Sequence, residues 1–558
     1  MVESAGLAHL PPAFPIQSGG TCAERFVRPA RQVLFVFSYY RTVATFYVEN
    51  FGCRATQADG AAIERQFRER GLERAGAPTQ AEIVVLNTCT VTAAADQDAR
   101  AAIRRIHREN PGCQIVVTGC YAQRAPEEIA ALPGVSRVIG NSHKHALAEI
   151  VGLKDQGISF VPLSTLAPDD QRLTTNDRGQ IFVSDIFAHT ELLAAPVFEA
   201  GDEGQENART RPNLKVQDGC DNRCSFCVIP YVRGQSRSLP LNQVLHEVNA
   251  LVDAGYREVV ISGINLGRWG RDLGFPIGET SAAKAASHVE PLSARLKSCP
   301  DTNLANGNSA KPIRFEGLIR EILRQTNLQK LRISSVEPMD WSDELIRLVA
   351  DSPRIAKHAH VPMQSGSDRV LRLMHRKYRP WHYREKIEKI RAAMPAAAIG
   401  ADVMAGFPGE TDADFEETRC IVEELPFTYL HVFTYSPRPG TPAAAMRNQV
   451  PVHIARERNR ILRDLAAEKK LAFMRSFIGQ TVEAITLHSS HSSSLSSRAE
   501  PVDLLANQSG GVEGPAVSTE ALTDNYLNLR LKGRHAPNRW LAAQVEGVED
   551  GTLAGIAR

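Results

Sequence analysis

The chain has 558 residues, 43% of them apolar and 23% charged. That is too long for one core, and it predicts roughly three to four mostly globular domains. A formal net charge of +2 neither demands nor excludes a nucleic-acid partner, so any basic binding face must be local.

Residues 1–42 lack clear periodicity and read as an extension. The apolar stretch from Val33 to Val48 carries Arg41, is shorter than a membrane span and runs into Glu49 and Asn50, so no membrane anchor is expected. No signal peptide is evident. From residue 43 to 150 short apolar segments alternate with helical ones. Strands are predicted at Val43–Val48, Ala81–Leu86, Gln114–Thr118 and Ser136–Ile139, and helices at Ala61–Arg70, Thr92–Arg108 and Glu127–Ala131. That alternation predicts an α/β fold with a doubly wound parallel sheet.

Residues 151–210 read as a poorly patterned linker or insertion. A second series covers 211–447. Its strands are Leu214–Gln217, Glu258–Ser262, Lys330–Ser334, His358–Pro362, Ala398–Val403 and Tyr429–Thr434. Helix Leu241–Ala254 shows one apolar stripe of Val244, Leu245, Val248, Leu251 and Val252. Six strand–helix units predict a partial (β/α)6 barrel. Residues 275–313, rich in Ser, Ala, Asn and Lys, read as an insertion. A charged connecting helix is expected within 448–477. Residues 478–558 read as a small β-barrel with strands Thr481–Leu487, Tyr526–Leu531 and Trp540–Val545, interrupted by the Ser-rich run Ser489–Ser497 and a Gly-rich stretch.

Ten cysteines lie at 22, 53, 89, 113, 120, 220, 224, 227, 299 and 420. In a large chain without a secretion signal, cysteines ligate metals, react or sit buried more often than they form disulfides. A reducing, cytoplasmic location is the expectation. Cys220, Cys224 and Cys227 fall within eight residues, directly after the barrel's first strand. Three thiolates at that spacing can hold three irons of a cubane and leave the fourth open to a ligand. Barrel active sites lie at this end of the strands. A structural zinc site is the alternative, but such sites more often pair Cys-x2-Cys units and close with four ligands.

The run Cys220-Asp-Asn-Arg-Cys224-Ser-Phe226-Cys227 resembles the radical S-adenosylmethionine (SAM) superfamily motif Cys-x3-Cys-x-aromatic-Cys. The resemblance implies a 4Fe–4S cluster that binds SAM and cleaves it reductively, with Phe226 near the adenine. Four further turns follow predicted strands: Ser262–Gly267, Arg332–Pro338, Pro362–Ser367 and Gly406–Glu410. They place Gly263, Asn265, Ser334, Glu337, Gln364 and Gly406 as cofactor-binding candidates.

Cys53, Cys89 and Cys120 each follow a predicted parallel strand. Strand C-termini share one sheet edge, so three thiolates can converge there. Three independently buried cysteines are the simpler alternative. The surrounding runs Glu49–Gln57, Asn87–Thr92 and Thr118–Gln123 resemble the methylthiotransferase family. That family joins such a domain to a radical SAM barrel and a C-terminal TRAM domain. The likeness covers about 43–150 and 211–477. It is weaker beyond, where it rests mainly on Leu522–Tyr526, and Ala55-Thr56 departs from the usual pair ending in Asn.

The resemblance implies that Cys53, Cys89 and Cys120 hold an auxiliary 4Fe–4S cluster with an open iron that carries sulfur. One SAM would methylate that sulfur, and another would yield a 5′-deoxyadenosyl radical that takes a hydrogen from an adenine carbon. The family modifies tRNA beside the anticodon or, in one branch, a ribosomal protein. Asn87–Thr92 is most like the branch that adds methylthio to C2 of N6-threonylcarbamoyladenosine at position 37 of tRNA. The same chemistry on N6-isopentenyladenosine, and a non-catalytic iron–sulfur RNA-binding protein, are the alternatives. Expected partners are a tRNA anticodon stem-loop, a reductant such as flavodoxin or ferredoxin, and a sulfur donor. Arg100, Arg104, Arg105 and Arg108, Arg376, Lys377 and Arg379 around Tyr378, and Arg233 and Arg237 are the basic candidates for RNA contact. Cys22, Cys113, Cys299 and Cys420 read as non-ligands.

Overall fold

A computed structural model describes residues 44–152, 179–189, 192, 210–273, 313–488 and 518–558. Its first sheet is built from β1 (Thr45–Asn50), β2 (Glu73–Arg74), β3 (Ile83–Thr88), β4 (Gln114–Gly119), β5 (Val135–Gly140) and β6 (Gln180–Phe182), in the order β2-β1-β3-β4-β5-β6. Every pairing in it is parallel. Side chains alternate between the two faces of a strand. Val84, Leu86, Ile115 and Val117 thus pack on helix Ala93–Glu109 through Ala99, Ile103 and Ile106. Val85 and Val116 point the other way, onto Ile63 and Phe67 of helix Arg54–Glu69 and onto Leu147. The sheet is therefore covered on both faces, as its apolar strands predict.

Two differences stand out. The first helix begins at Arg54, well before the expected Ala61. Gly60 weakens the helical pattern there, yet the glycine is required, because a Cβ at that position would overlap the Asn50 side chain. The second is two strands beyond the four expected: the two-residue β2, and β6, which lies inside the stretch read as a linker.

The second layer of strands is β7 (Asn213–Asp218), β8 (Arg237–Ser238), β9 (Glu258–Gly263), β10 (Lys330–Ile333), β11 (His358–His360), β12 (Ala398–Ala405) and β13 (Tyr429–Thr434). β7, β9 and β10 pair in parallel, as do β11, β12 and β13. Parallel bridges Leu331↔Ile355 and Ser335↔His360 join the two groups. The six expected strands therefore run in order, with the two-residue β8 added antiparallel to β7. Leu214, Val216, Val259, Ile261, Leu331, Ile333, Ala359 and Val361 pack outward into one large core with the surrounding helices. Alternate residues Lys215, Gln217, Glu258, Ser262, Arg332, Ser334, His358 and His360 are buried on the opposite, polar face.

Helix Val452–Arg475 leads to a closed barrel of β14 (Thr481–Thr486), β15 (Ser518–Thr523), β16 (Asn528–Lys532), β17 (Trp540–Glu549) and β18 (Thr552–Ala557). The three expected strands are joined by β15 and β18. Tyr526, in the β15–β16 turn, adopts φ +69°. Its ring centroid lies 4.7 Å from that of His358, and its hydroxyl accepts from Arg54 Nη2 at 2.7 Å. The small barrel thereby inserts a side chain beside the N-terminal ends of the larger one. Residues 275–312 and Ser489–Ser497 lie outside the described residues.

Candidate functional site

Three cysteines follow one edge of the first sheet. The register levels Asn50 with Asn87 and Asn87 with Thr118. Cys53, Cys89 and Cys120 come just after these level residues. Cys53 caps the helix Arg54–Glu69, and Cys120 opens the helix Cys120–Arg124. A hydrogen bond from Cys89 holds the Cys53 thiol well below its usual range; that bond and burial push Cys89 up. Cys120 is close enough to add to the charge felt by Cys89. Asn141 Nδ2 donates to Cys120 Sγ at 3.5 Å and to the Val232 carbonyl at 2.7 Å.

Among the described residues, no three His, Cys, Asp or Glu side chains converge as a single metal ion requires. A cubane asks for something different, since each thiolate takes its own iron. Three cysteines set around a common edge fit that demand. Gly119 makes the approach possible. Its φ is +101°, and a Cβ there would overlap the Thr88 backbone. Gly119→Ala is expected to displace Cys120 and lose the iron held at this edge, read as iron per chain. Gly76→Ala, whose Cβ would make an ordinary 3.5 Å contact with Gln80, is expected to keep it.

The other three cysteines sit on the loop after β7. Asn265 Nδ2 lies 3.7 Å from Cys220 Sγ, and its backbone N–H donates to Gln217 Oε1 at 2.7 Å. Arg376 Nη1 donates to Cys224 Sγ at 3.2 Å, while its Nη2 pairs with Glu337. Burial pushes the Cys227 thiol up to about 12 and raises Cys220 as well. Metal binding must therefore displace protons from these thiols. Phe226 meets Phe407 edge-on, with centroids 6.4 Å apart.

The structure brings Cys220, Cys224, Asn265 and Glu337 together, directly or through Arg376. Gly263 ends β9, and Ser334 follows β10. Gln364 follows β11, adopts φ +63° and accepts from the backbone N–H of Met404 at 2.8 Å. Gly406, at φ +77°, packs closely on the long helix, since a Cβ on it would meet Ala455. Asn265 Oδ1 and Ser262 Oγ are buried without a hydrogen-bond partner among the described residues. Such groups fit a polar ligand such as the amino-carboxylate of SAM.

The basic candidates for RNA contact need correction. Tyr378 is 1% exposed, and its hydroxyl donates to the Pro362 and Met363 carbonyls. It cannot stack on a base. Arg376 and Arg233 are buried and committed to Glu337 and to Asp59 and Asp218. Arg100 is bound to Tyr121 and Glu128, and Arg105 to Glu49. Arg104, Arg108 and Lys377 remain exposed. Arg376, Asn141 and Asp59 are the site residues that the sequence missed or misplaced. Their neighbors in the sequence are themselves polar or small, so no local pattern marks them.

Comparison with known proteins agrees with this arrangement. Residues 45–140 match the model of the uncharacterized protein family UPF0004, and residues 214–419 match that of the radical SAM superfamily. The threonylcarbamoyladenosine tRNA methylthiotransferase MtaB of Bacillus subtilis is 35% identical over 79% of this chain and 85% of its own. The protein of that name from Aquifex aeolicus is 33% identical over 79% and 92%. A tRNA-2-methylthio-N(6)-dimethylallyladenosine synthase from Erythrobacter litoralis is 32% identical over 79% and 86%. No helix among the described residues is long and apolar enough to cross a membrane. With both family models matched in order and such relatives covered over most of their length, the chain belongs to the radical SAM tRNA methylthiotransferases, which use SAM and two 4Fe–4S clusters, and within them is most like the threonylcarbamoyladenosine branch.

Proposed function

We propose that this enzyme adds a methylthio group to C2 of N6-threonylcarbamoyladenosine at position 37 of tRNA. The observation that carries the reading is the packing of one cysteine set against the other. Helix Cys120–Arg124 lies on helix Ile229–Arg233, and Cys120, Val228 and Val232 share one buried cluster. Asn141 ties the Cys120 thiol to the backbone just beyond Cys227. An enzyme that makes a radical at one center and draws sulfur from another needs this closeness.

In this reading Cys220, Cys224 and Cys227 hold the cluster that binds SAM, and Cys53, Cys89 and Cys120 hold the auxiliary cluster. When bound, these groups supply a 5′-deoxyadenosyl radical and a sulfur for transfer. The chain's own residues orient them. Phe226, Gly263, Asn265, Ser334, Glu337, Gln364 and Gly406 are assigned to SAM. Arg376 fixes Glu337 relative to Cys224. Residues 43–150 thus serve the sulfur, 211–447 the radical, and 478–558, as a TRAM-like barrel reached through 448–477, the RNA. A flavodoxin or ferredoxin as reductant, a separate sulfur donor and a cytoplasmic location complete the proposal.

Substrate choice is supported by the named relatives and by the residue after Cys89. The Thr90 hydroxyl donates to Asp96 at 2.6 Å and accepts from Arg124 at 2.9 Å, while Arg438 of the barrel donates to the Thr90 carbonyl at 3.0 Å. The isopentenyladenosine branch usually differs at this point. The test gives anaerobically reconstituted, reduced protein SAM and anticodon stem-loops bearing either modified adenosine. Methylthiolation of the threonylcarbamoyl substrate alone is expected. Turnover of the isopentenyl substrate alone would reassign the branch. Absence of SAM cleavage altogether would favor a non-catalytic iron–sulfur RNA-binding protein.

A further inference from the structure

Five charged side chains are buried between the two cysteine sets. Asp59 lies on the helix that starts after Cys53, and Lys144 follows β5. Lys215 and Asp218 belong to β7, and Arg233 ends the short helix after Cys227. Each of these side chains is less than a tenth exposed. Asp59 receives Lys144 Nζ at 3.0 Å, Arg233 Nη2 at 2.9 Å and Lys215. Asp218 receives Arg233 Nη1 at 3.0 Å on both oxygens and Lys215 Nζ at 2.8 Å. Arg237 stands at the margin, 4.0 Å from Asp218.

The charges do not cancel. Three buried cations face two carboxylates. A surplus charge out of water is costly unless something of opposite sign balances it. Arg233 Nε has no hydrogen-bond partner among the described residues. An anionic group beside Arg233 would supply the counter-charge. Arg233 follows Val232, whose carbonyl accepts from the same Asn141 amide that donates to Cys120 Sγ, and its Nη2 pairs with Asp59 on the helix that Cys53 caps. A cubane held by three thiolates is anionic, because the ligand charges outnumber that of the oxidized iron–sulfur core. One-electron reduction adds a further negative charge, which a nearby cation stabilizes.

We propose that Arg233 is a positioning residue for the auxiliary cluster: anchored by Asp59 and Asp218, it supplies the positive charge that balances the cluster on Cys53, Cys89 and Cys120 and raises its reduction potential. The inference rests on the reading of those cysteines as ligands. Because the same side chain clamps β7 to the helix after Cys53, it also fixes the distance between the two clusters. A merely structural ion network would hold the domains together without moving a potential.

The experiment uses the full-length chain carrying Cys220→Ala, Cys224→Ala and Cys227→Ala, so that only the auxiliary cluster is seen. After anaerobic reconstitution, its midpoint potential is measured by redox titration followed by electron paramagnetic resonance. Arg233→Gln is expected to shift the reduction equilibrium against the reduced cluster by about tenfold, ~59 mV for one electron. Arg233→Lys, which keeps the charge, is expected to recover most of the shift. Should Arg233→Gln fail to take up iron, Lys144→Gln carries the same prediction of sign from the far side of Asp59. A fully loaded variant with an unmoved potential overturns the role of Arg233 alone. Iron uptake that survives Cys89→Ala in the same background overturns the cluster reading beneath it.

Discussion

Cys89→Ala is expected to leave SAM cleavage intact and to abolish methylthio transfer. Cys89 is 1% exposed and sits between its two partners, because β3 lies between β1 and β4 in the sheet. Cys53, burial and the charge of Cys120 together push its thiol up. Removing it takes away the proposed middle ligand, and two remaining thiolates do not hold a cubane. The Cys220–Cys227 loop is untouched, since it hangs from β7 and is held by Arg376, Asn265 and the backbone bond from Cys220 N–H to the Gly234 carbonyl. The measurement is paired: 5′-deoxyadenosine and methylthiolated nucleoside from the same reaction. Product formation without Cys89 would remove the auxiliary cluster from the account. Loss of both readouts, with correct folding, would mean that one center depends on the other for assembly.

The second large effect is on stability. Arg332→Leu is expected to cost about 3 kcal/mol or more, since one partner of a buried pair is left behind. Arg332 and Glu258 are each 0% exposed and bond at 2.6 Å, with Arg211 contributing only at 3.5 Å. Arg332 also donates to the Asp524 carbonyl at 3.1 Å, and its guanidinium lies 5.4 Å from the center of the Tyr526 ring. The variant therefore weakens both the barrel interior and its junction with the C-terminal barrel. Replacing both residues by Leu is expected to restore only part of the loss, because the Arg332–Glu258 pair is gone but Arg211 loses its carboxylate partner Glu258. Denaturant midpoints of the single and double variants check this. A single variant within about 0.5 kcal/mol of the parent, the range of an ordinary surface change, would contradict it.

The cysteine positions were legible because their geometry follows from strand direction. A cysteine just past a parallel strand lands on the shared edge whatever lies between. The buried charge network was not legible. Asp59 fell before the expected start of its helix, where Gly60 broke the pattern. Lys215 and Arg233 look like ordinary surface cations until the packing of two domains encloses them. Arg376 and Tyr378 misled for the same reason. A basic residue beside an aromatic suits RNA when exposed, but here the turn after helix Asp368–Leu373 folds both inward onto Cys224 and the Pro362 backbone. In the C-terminal barrel, β15 (STEALT) and β18 (TLAGIA) carry Ala, Gly and Glu, weak strand formers that pairing with their neighbors overrides. Tyr526 was visible as part of a family-like run, but its insertion beside His358 and Arg54 is a contact across distant segments that no local pattern encodes.

The most direct test is mass spectrometry of nucleosides from the tRNA of cells with and without this protein. 2-Methylthio-N6-threonylcarbamoyladenosine is expected to disappear from the deficient cells and N6-threonylcarbamoyladenosine to accumulate in its place, and the chain is expected to restore the modification while its Cys89→Ala and Cys224→Ala forms do not. An unchanged methylthio nucleoside pool, in cells with no second enzyme of this family, would contradict the proposed function.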